Sequence, residues 1–269
     1  MTMTKKVNRQ QGFSLLEMMV SVAIFTILCG AAFGLLGVSQ KRQRTESLVL
    51  DSFQEARLGL DQIVRDANDA GYPAANQFTV APAPNTAAAN SYAATPVAWN
   101  PNYALPTPCT IGGSCVSPGN FDLIIETDID PVANNGVEWV RYKLVGTTLW
   151  RGVTSKAANT DPMAATDLVL FPYVRNVMNN APAAQIARYQ TTYPAMFPGG
   201  NPVPIFTYFC DPLGAGGGAA VPCTAANNPT SIRDIGVTLI VLATESDAQS
   251  NLPRLVELSG RGHRLNPNK

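Results

Sequence analysis

Hydrophobic and polar positions divide the chain into distinct regimes. Residues 13–38, FSLLEMMVSVAIFTILCGAAFGLLGV, are apolar on every side, with Glu17 as the single charge in 26 residues. That exceeds the roughly 20 residues a helix needs to cross the hydrocarbon of a bilayer. A secretory signal peptide has an apolar core of about 7 to 15 residues that ends at a small-residue cleavage site. This run is too long for that, and its conspicuous boundary, Gln11-Gly12-Phe13, comes before it. A membrane helix is predicted.

From Val49 the pattern becomes periodic. Val49, Phe53, Ala56, Leu60, Ile63, Ala67 and Ala70 recur in steps of four and three, with Asp51, Glu55, Asp61, Arg65 and Asp66 assigned to the other faces. The spacing predicts an amphipathic helix whose stripe packs on the protein's own globular domain. Gly71-Tyr72-Pro73 stops it, glycine offering a left-handed cap and proline forbidding continuation. No breaker separates the two segments, so residues 13–70 are predicted to form one helix about 87 Å long at roughly 1.5 Å per residue.

Residues 74–118 are rich in Ala, Pro, Asn and Thr with few periodic apolar positions, which reads as a long irregular insertion serving as surface or mobile loop. Strand patterns follow at 121–125, 137–144 and 148–153, the last two forming a hairpin through Val145-Gly146-Thr147 with Trp139 and Trp150 among its side chains. Further strands are expected at 205–210, 237–243 and 255–258, while 154–202 mixes short apolar clusters with Asn- and Pro-rich turns. The expected fold is α+β, a long helix laid on an antiparallel β-sheet head so that each buries one face.

Composition supports a sizeable folded domain, with 46% hydrophobic and 14% charged residues. Charge is balanced at 19 against 19, but beyond Arg44 it becomes 13 basic against 18 acidic. That lacks the basic excess of nucleic-acid binders, and no nucleic-acid partner is expected. Orientation across the membrane is not set by charge, because Lys5, Lys6 and Arg9 on one side face Lys41, Arg42 and Arg44 on the other.

Cysteines decide it. Cys29 lies in the apolar run; Cys109, Cys115, Cys210 and Cys223 lie far beyond it. Four cysteines allow three pairings, and the short separations favour local loops, Cys109 with Cys115 and Cys210 with Cys223. Buried free thiols are the alternative, and neither the spacing nor histidine partners support zinc. Disulfides place the large domain in an oxidising compartment, with the N-terminus cytoplasmic.

Candidate chemistry is sparse. Asp128, Asp130, Asn134 and Asn135 crowd oxygens into a turn, but the EF-hand template fails, with Val132 at its fifth position and no glycine at its sixth. Ordinary turn chemistry accounts for these residues, and calcium stays open as the alternative. Residues 214–218, GAGGG, lack the Gly-Lys-Ser/Thr of a phosphate loop and read as a flexible disulfide loop. His263, the single histidine, sits between Arg261-Gly262 and Arg264 with no Gly-x-Ser-x-Gly elbow in the chain, so it reads as solvated in a polar tail. A non-enzyme is expected, with no catalytic residue, cofactor or resident metal.

A carboxylate near the end of an apolar span costs less than the ~2.5–3.5 kcal/mol of mid-helix, and Glu17 either reaches headgroups or is compensated. Its neighbours favour compensation. Gly12-Phe13-Ser14-Leu15-Leu16-Glu17, with a basic leader before it and the apolar helix after it, resembles the class III signal of type IV prepilins and type II secretion pseudopilins. The resemblance implies cleavage after Gly12 by a prepilin peptidase, N-methylation of Phe13, and assembly through Glu17, whose carboxylate pairs with a neighbouring subunit's amine. It further implies a division into leader (1–12), membrane half (13–38) and outer half (39–71) of the helix, insertion (72–120) and β-rich head (121–269). Glu55-Ala56-Arg57, Leu60, Arg65-Asp66 and Ala70-Gly71-Tyr72 are similar to PilW-type minor pilins, which are related to J-type pseudopilins. The implied partners are the peptidase, other minor and major pilins or pseudopilins, the pilus assembly platform and the inner membrane. Pilin helices often carry a proline beyond the glutamate; none occurs between Phe13 and Gly71. Gly30-Ala31-Ala32-Phe33-Gly34 offers a small-xxx-small face. A type II secretion pseudopilin and a pilus-borne adhesin are the alternatives to a minor pilin.

Overall fold

The computed structural model describes residues 14–74, 92–93, 95–99, 109–131, 136–157, 160–212, 219–246 and 252–264. Two units emerge, Met1–Ser47 and Leu48–Lys269, and one helix, α1 (Leu15–Asp69), runs through both. Within the first unit the described helix is exposed nearly throughout and long and apolar enough to cross a membrane. Two hydroxyls of the apolar stretch bond back to the helix, Ser21 Oγ to Glu17 O and Thr26 Oγ1 to Val22 O, each at 2.8 Å. This back-bonding lets serine and threonine sit in an apolar helix.

In the second unit the described residues form eight strands besides α1: β1 (Asp122–Thr127), β2 (Glu138–Val145), β3 (Thr148–Ser155), β4 (Phe171–Val174), β5 (Phe206–Cys210), β6 (Val221–Pro222), β7 (Ile232–Ser246) and β8 (Pro253–His263). Short helices α2 (Pro162–Asp167) and α3 (Ala183–Gln190) flank β4 in sequence. The fold is α+β and pilin-like, but the head holds two four-stranded antiparallel sheets, ordered β1-β2-β3-β4 and β6-β5-β7-β8. They are stitched by the residues after β4. Val177 N donates to Thr147 O at 2.8 Å, while Met178 N bonds Ile240 O at 2.7 Å and Leu242 N bonds Asn176 O at 2.9 Å. Asn176, at φ 57°, supplies the left-handed kink that ends β4. The β2–β3 hairpin closes through Gly146-Thr147, with Gly146 at φ 61°, which glycine adopts at little cost.

The core lies between α1 and both sheets. Ala56, Leu60, Ile63 and Ala67 meet Leu123, Ile125, Val140 and Leu149 from the first sheet and Phe206, Ile235, Val237 and Leu239 from the second. Glycines on β8 admit the helix: a Cβ at Gly260 would stand 2.8 Å from Val64 Cγ2, and one at Gly262 would stand 3.1 Å from Val64 O. The end of α1 is tied down as well, by Gly71 N to Glu126 O at 2.8 Å and Thr127 Oγ1 to Asp69 O at 2.8 Å.

Three differences from the sequence expectation stand out. Asp66, expected on an outer face, is buried under α1, where its Oδ2 accepts from Tyr142 Oη at 2.5 Å and from Arg151 Nη2 at 3.0 Å. The half-buried Arg151 guanidinium is what makes a carboxylate tolerable there. Part of the insertion is core, for Tyr92, Ala93, Val97, Ala98 and Trp99 are all buried, while Gly113, Ser114 and Val116 are exposed as expected. Residues 96–98 cover the outer edge of β1 through Glu126 N to Pro96 O and Ala98 N to Ile124 O, which protects an edge that would otherwise be free to pair. Lastly, α3 and Phe197 cover the far face of β7–β8, forming a second core with Met178, Ile186, Tyr189, Ile240 and Leu255.

Candidate functional site

The site read from sequence begins where the structural description begins. Gly12 and Phe13 lie outside the described residues. Ser14 is the first described residue and is not helical; α1 starts at Leu15, so Glu17 is its third residue. Ser14 O accepts the first ladder bond from Met18 N at 3.2 Å, and Glu17 Oε2 accepts from Ser14 N at 3.2 Å. An acidic side chain at this place also suits the positive end of the helix dipole. Glu17 is exposed, and among the described residues it forms no ion pair, so its charge is available to a group from another molecule.

Another face of the helix is built for contact with something apolar. Leu15, Met18, Met19, Val22 and Ala23 line a shallow cavity of about 410 Å³ on the side of α1 away from Glu17. Leu15 is 78% exposed and Phe33 73%, values that water does not favour and that lipid or packed helices would accept. Gly30, Gly34 and Gly37 have nothing within 4 Å of where a Cβ would stand, so the surface over each is open. Cys29 is a free thiol on this helix.

The head carries both expected disulfides, Cys109–Cys115 with Cα atoms 4.8 Å apart and Cys210–Cys223 at 5.0 Å. The first closes a turn in which Thr110 N bonds Ser114 Oγ at 2.8 Å; the second ties β5 to the short β6.

Other candidate residues do not converge on this region. Asp128 and Asp130 follow β1, while Asn134 and Asn135 lie outside the described residues, as do residues 214–218. Burial lifts the Asp128 carboxyl above its usual range, and repulsion from Asp130 adds to this. Glu138 is lifted in the same way, first by burial and then by Asp128 and Asp130. No group of three or more His, Cys, Asp or Glu suited to a metal occurs among the described residues.

His263 is exposed, as expected, but it stands in a strand and not in a tail. It is the last residue of β8, its Nδ1 lies 2.5 Å from Asp234 Oδ1, and its N donates to Asn68 Oδ1 at 2.7 Å. Arg261 joins the same carboxylate, Nε to Asp234 Oδ2 at 2.8 Å, and stacks its guanidinium 3.8 Å from the Phe209 ring centre. Arg264 is buried, donates to Ile232 O at 2.8 Å, and has its pKa pulled down to about 10 by burial. The C-terminal cations are thus parts of the fold. Alternation from Leu255 to Gly262 was the signal that β8 continued, and the polar residues within it obscured that signal.

Sequence reasoning also missed two buried ion pairs. Arg141 grips Asp122 with Nε to Oδ1 at 2.9 Å and Nη2 to Oδ2 at 2.6 Å, and donates to Met163 O of α2 at 2.9 Å. Lys156 Nζ reaches Glu126 Oε2 at 3.1 Å, where Trp139 Nε1 also bonds Oε1 at 3.1 Å. Burial pushes the Glu126 carboxyl up, against the opposing pull of Lys156. These pairs hold α2 and the insertion to the first sheet.

Comparison with curated proteins and with solved structures returned no match. One family description does match, the prokaryotic N-terminal methylation motif, over residues 7–33. It covers the Gly12–Phe13 junction, the start of α1 and Glu17, and so supports a class III signal of the type IV prepilin kind at the head of this chain, the mark of a prepilin peptidase substrate.

Proposed function

We propose that the chain is a PilW-like minor pilin, cleaved after Gly12 and methylated at Phe13 at the inner membrane, then inserted in few copies into a type IV pilus, where it helps to start or modulate assembly. The observation that carries the reading is the methylation motif at residues 7–33 set on a helix that continues without a break from an exposed apolar half into the core of a disulfide-bonded head. An apolar helix with no cover of its own suits a subunit whose neighbours supply it. A head of two sheets is bulky for a shaft of many copies, which favours minor status and a place at the tip. The protein acts by assembly and not by catalysis in this reading, with the head outside the cytoplasmic membrane, where its disulfides form.

Mass spectrometry of the membrane-extracted protein tests the first step, with a mature chain beginning at methylated Phe13 as the expected result. An intact Met1 start, or cleavage beyond Val38, refutes the reading. Gene deletion separates the finer alternatives: loss of surface pili favours the minor pilin, and loss of secretion with pili intact favours a J-type pseudopilin.

A further inference from the structure

We propose that the free edge of β8 is a self-association site, at which two copies of this chain pair their β8 strands antiparallel about Ser259. The inference goes beyond the proposed function and does not rest on it.

β8 ends the second sheet, with β7 as its one neighbour. Register fixes which of its backbone groups are spent on β7. Arg264 N donates to Arg233 O, and in step with that bond the ladder sets Gly262 against Ile235, Gly260 against Val237 and Leu258 against Leu239. Backbone groups along an antiparallel strand point alternately to its two sides. The N–H and C=O of Leu255, Glu257, Ser259, Arg261 and His263 therefore point away from β7. At one end of that edge His263 N donates to Asn68 Oδ1, and at the other Leu255 is buried with α3. Between them Glu257, Ser259 and Arg261 are exposed, and among the described residues nothing bonds their outward backbone groups.

Proteins commonly guard such an edge with charge, and here the charge has a symmetry. Glu257 and Arg261 flank Ser259 at equal spacing. Antiparallel pairing about Ser259 sets Glu257 opposite Arg261 of a second copy, Arg261 opposite Glu257 of that copy, and Ser259 opposite its own equivalent. All three are outward residues, so each pair exchanges two backbone bonds, and the opposite charges attract across the strands. Sliding either strand by two residues removes both attractive pairs. The charges thus repel most strands and accept this one in one register. Arg261 already holds Asp234, with Nε to Oδ2 at 2.8 Å, but a guanidinium has five donors and can serve two carboxylates. The two-fold axis of such a pair stands perpendicular to the sheet and reverses the outer half of α1. The contact therefore joins chains carried from opposite directions, and not neighbours anchored side by side in one membrane.

Cross-linking tests the pairing. The full-length chain in detergent, with Cys29→Ala to remove the free thiol, carries Ser259→Cys or, as an exposed control, Thr192→Cys. Residues paired in this way have Cα atoms about 5.5 Å apart, within the reach of a disulfide. Mild oxidation should convert the Ser259→Cys chain, and not the control, to a covalent dimer on a non-reducing gel. Adding Glu257→Arg should slow dimer formation about tenfold, because two attractive pairs become two repulsive ones. A thermal melt checks that the head stays folded. Should Glu257→Arg lower the melt, Glu257→Gln takes its place and should slow the reaction about threefold, the attraction being lost without repulsion. Cross-linking of Ser259→Cys at the control's rate, or at a rate indifferent to residue 257, overturns the proposal and leaves Glu257 and Arg261 as guards of a solitary edge.

Discussion

The two halves of α1 share one backbone ladder and treat their side chains in opposite ways. Over residues 15–38 apolar residues face every direction and are exposed, and the one charge, Glu17, sits at the helix start. In the second, one stripe of Val49, Ala56, Leu60, Ile63, Ala67 and Ala70 is buried in the molecule's own core, and the exposed faces carry Asp51, Glu55, Asp61 and Arg65. The contrast teaches where each half finds its stability. The outer half is satisfied within the chain; the membrane half has to be satisfied by lipid or by another subunit, because hydrocarbon removes the driving force that buries apolar residues in water.

Substitutions that separate the halves test this contrast. The largest effect is expected at Glu17: both Glu17→Ala and Glu17→Gln should leave the melting of the head unchanged while abolishing incorporation into filaments, read by probing sheared filaments with an antibody to the head. Wild-type incorporation of both would remove the assembly role from Glu17.

Within the second unit, Asp66→Ala should cost about 3 kcal/mol, because it takes the acceptor from the buried Tyr142 hydroxyl and the half-buried Arg151 guanidinium together. Denaturant unfolding in detergent, followed by the tryptophan signal of the head, measures it. Burial already lifts the Tyr142 phenol well above its ordinary range, with Asp66 adding to the shift. Losing the carboxylate should therefore lower that titration as well.

A matched pair of isoleucines compares the halves directly. Ile63→Ala, at a fully buried position, should cost about 2–5 kcal/mol in the same assay, while Ile24→Ala should not move the unfolding midpoint of the head. A shift of similar size at Ile24 would mean that the membrane half contributes to the stability of the head.

The smallest effect concerns the carboxylates after β1. Asp128 and Glu138 both have folded pKa values raised by burial, so the folded head binds more protons than the unfolded chain, and this corner loses stability as pH rises from the ordinary carboxylate range through the folded values. Asp128→Asn should stabilise the head by about 0.5 kcal/mol at pH 7 and lose that advantage under acid conditions. Thermal melts of the two proteins across pH check the sign.

Legibility in the sequence followed periodicity. The stripe on α1, the β2–β3 hairpin and the disulfide pairs were readable because each has a local signature: a 3.6-residue period, a glycine turn between two strand patterns, cysteines close in sequence. The structure extends β7 and β8 beyond their apolar centres, since charged residues such as Asp234 and Arg261 are carried at their ends by cross-strand pairing. β4 was hidden because it has only four residues with a proline among them, and it is made a strand by β3 alongside it. Asp66 was placed on the wrong face because nothing in the sequence pairs it with Arg151, 85 positions away. The burial of Tyr92 and Trp99 had no period to reveal it, because these residues are held by bonds to β1 and not by a regular element. Of the candidate site, the Ser14–Glu17 spacing and the Gly12–Phe13 junction were present as sequence motifs, and the bond between Ser14 and Glu17 became visible only in the structure.

The seat of α1 on β8 also bears on how the molecule would carry load. In the proposed filament, tension would reach a subunit held by its apolar helix along the helix axis. Leu60, Val64 and Ala67 lie against Gly260 and Gly262 along the length of the contact, and the end of the helix is tied to β1 through Gly71 and Asp69. Pulling along the axis therefore strains these contacts together, as a lap joint is strained, and does not peel them apart one at a time. The absence of side chains at the two glycines brings the surfaces close enough for the joint to be broad, so that the head would remain attached to its helix under strain.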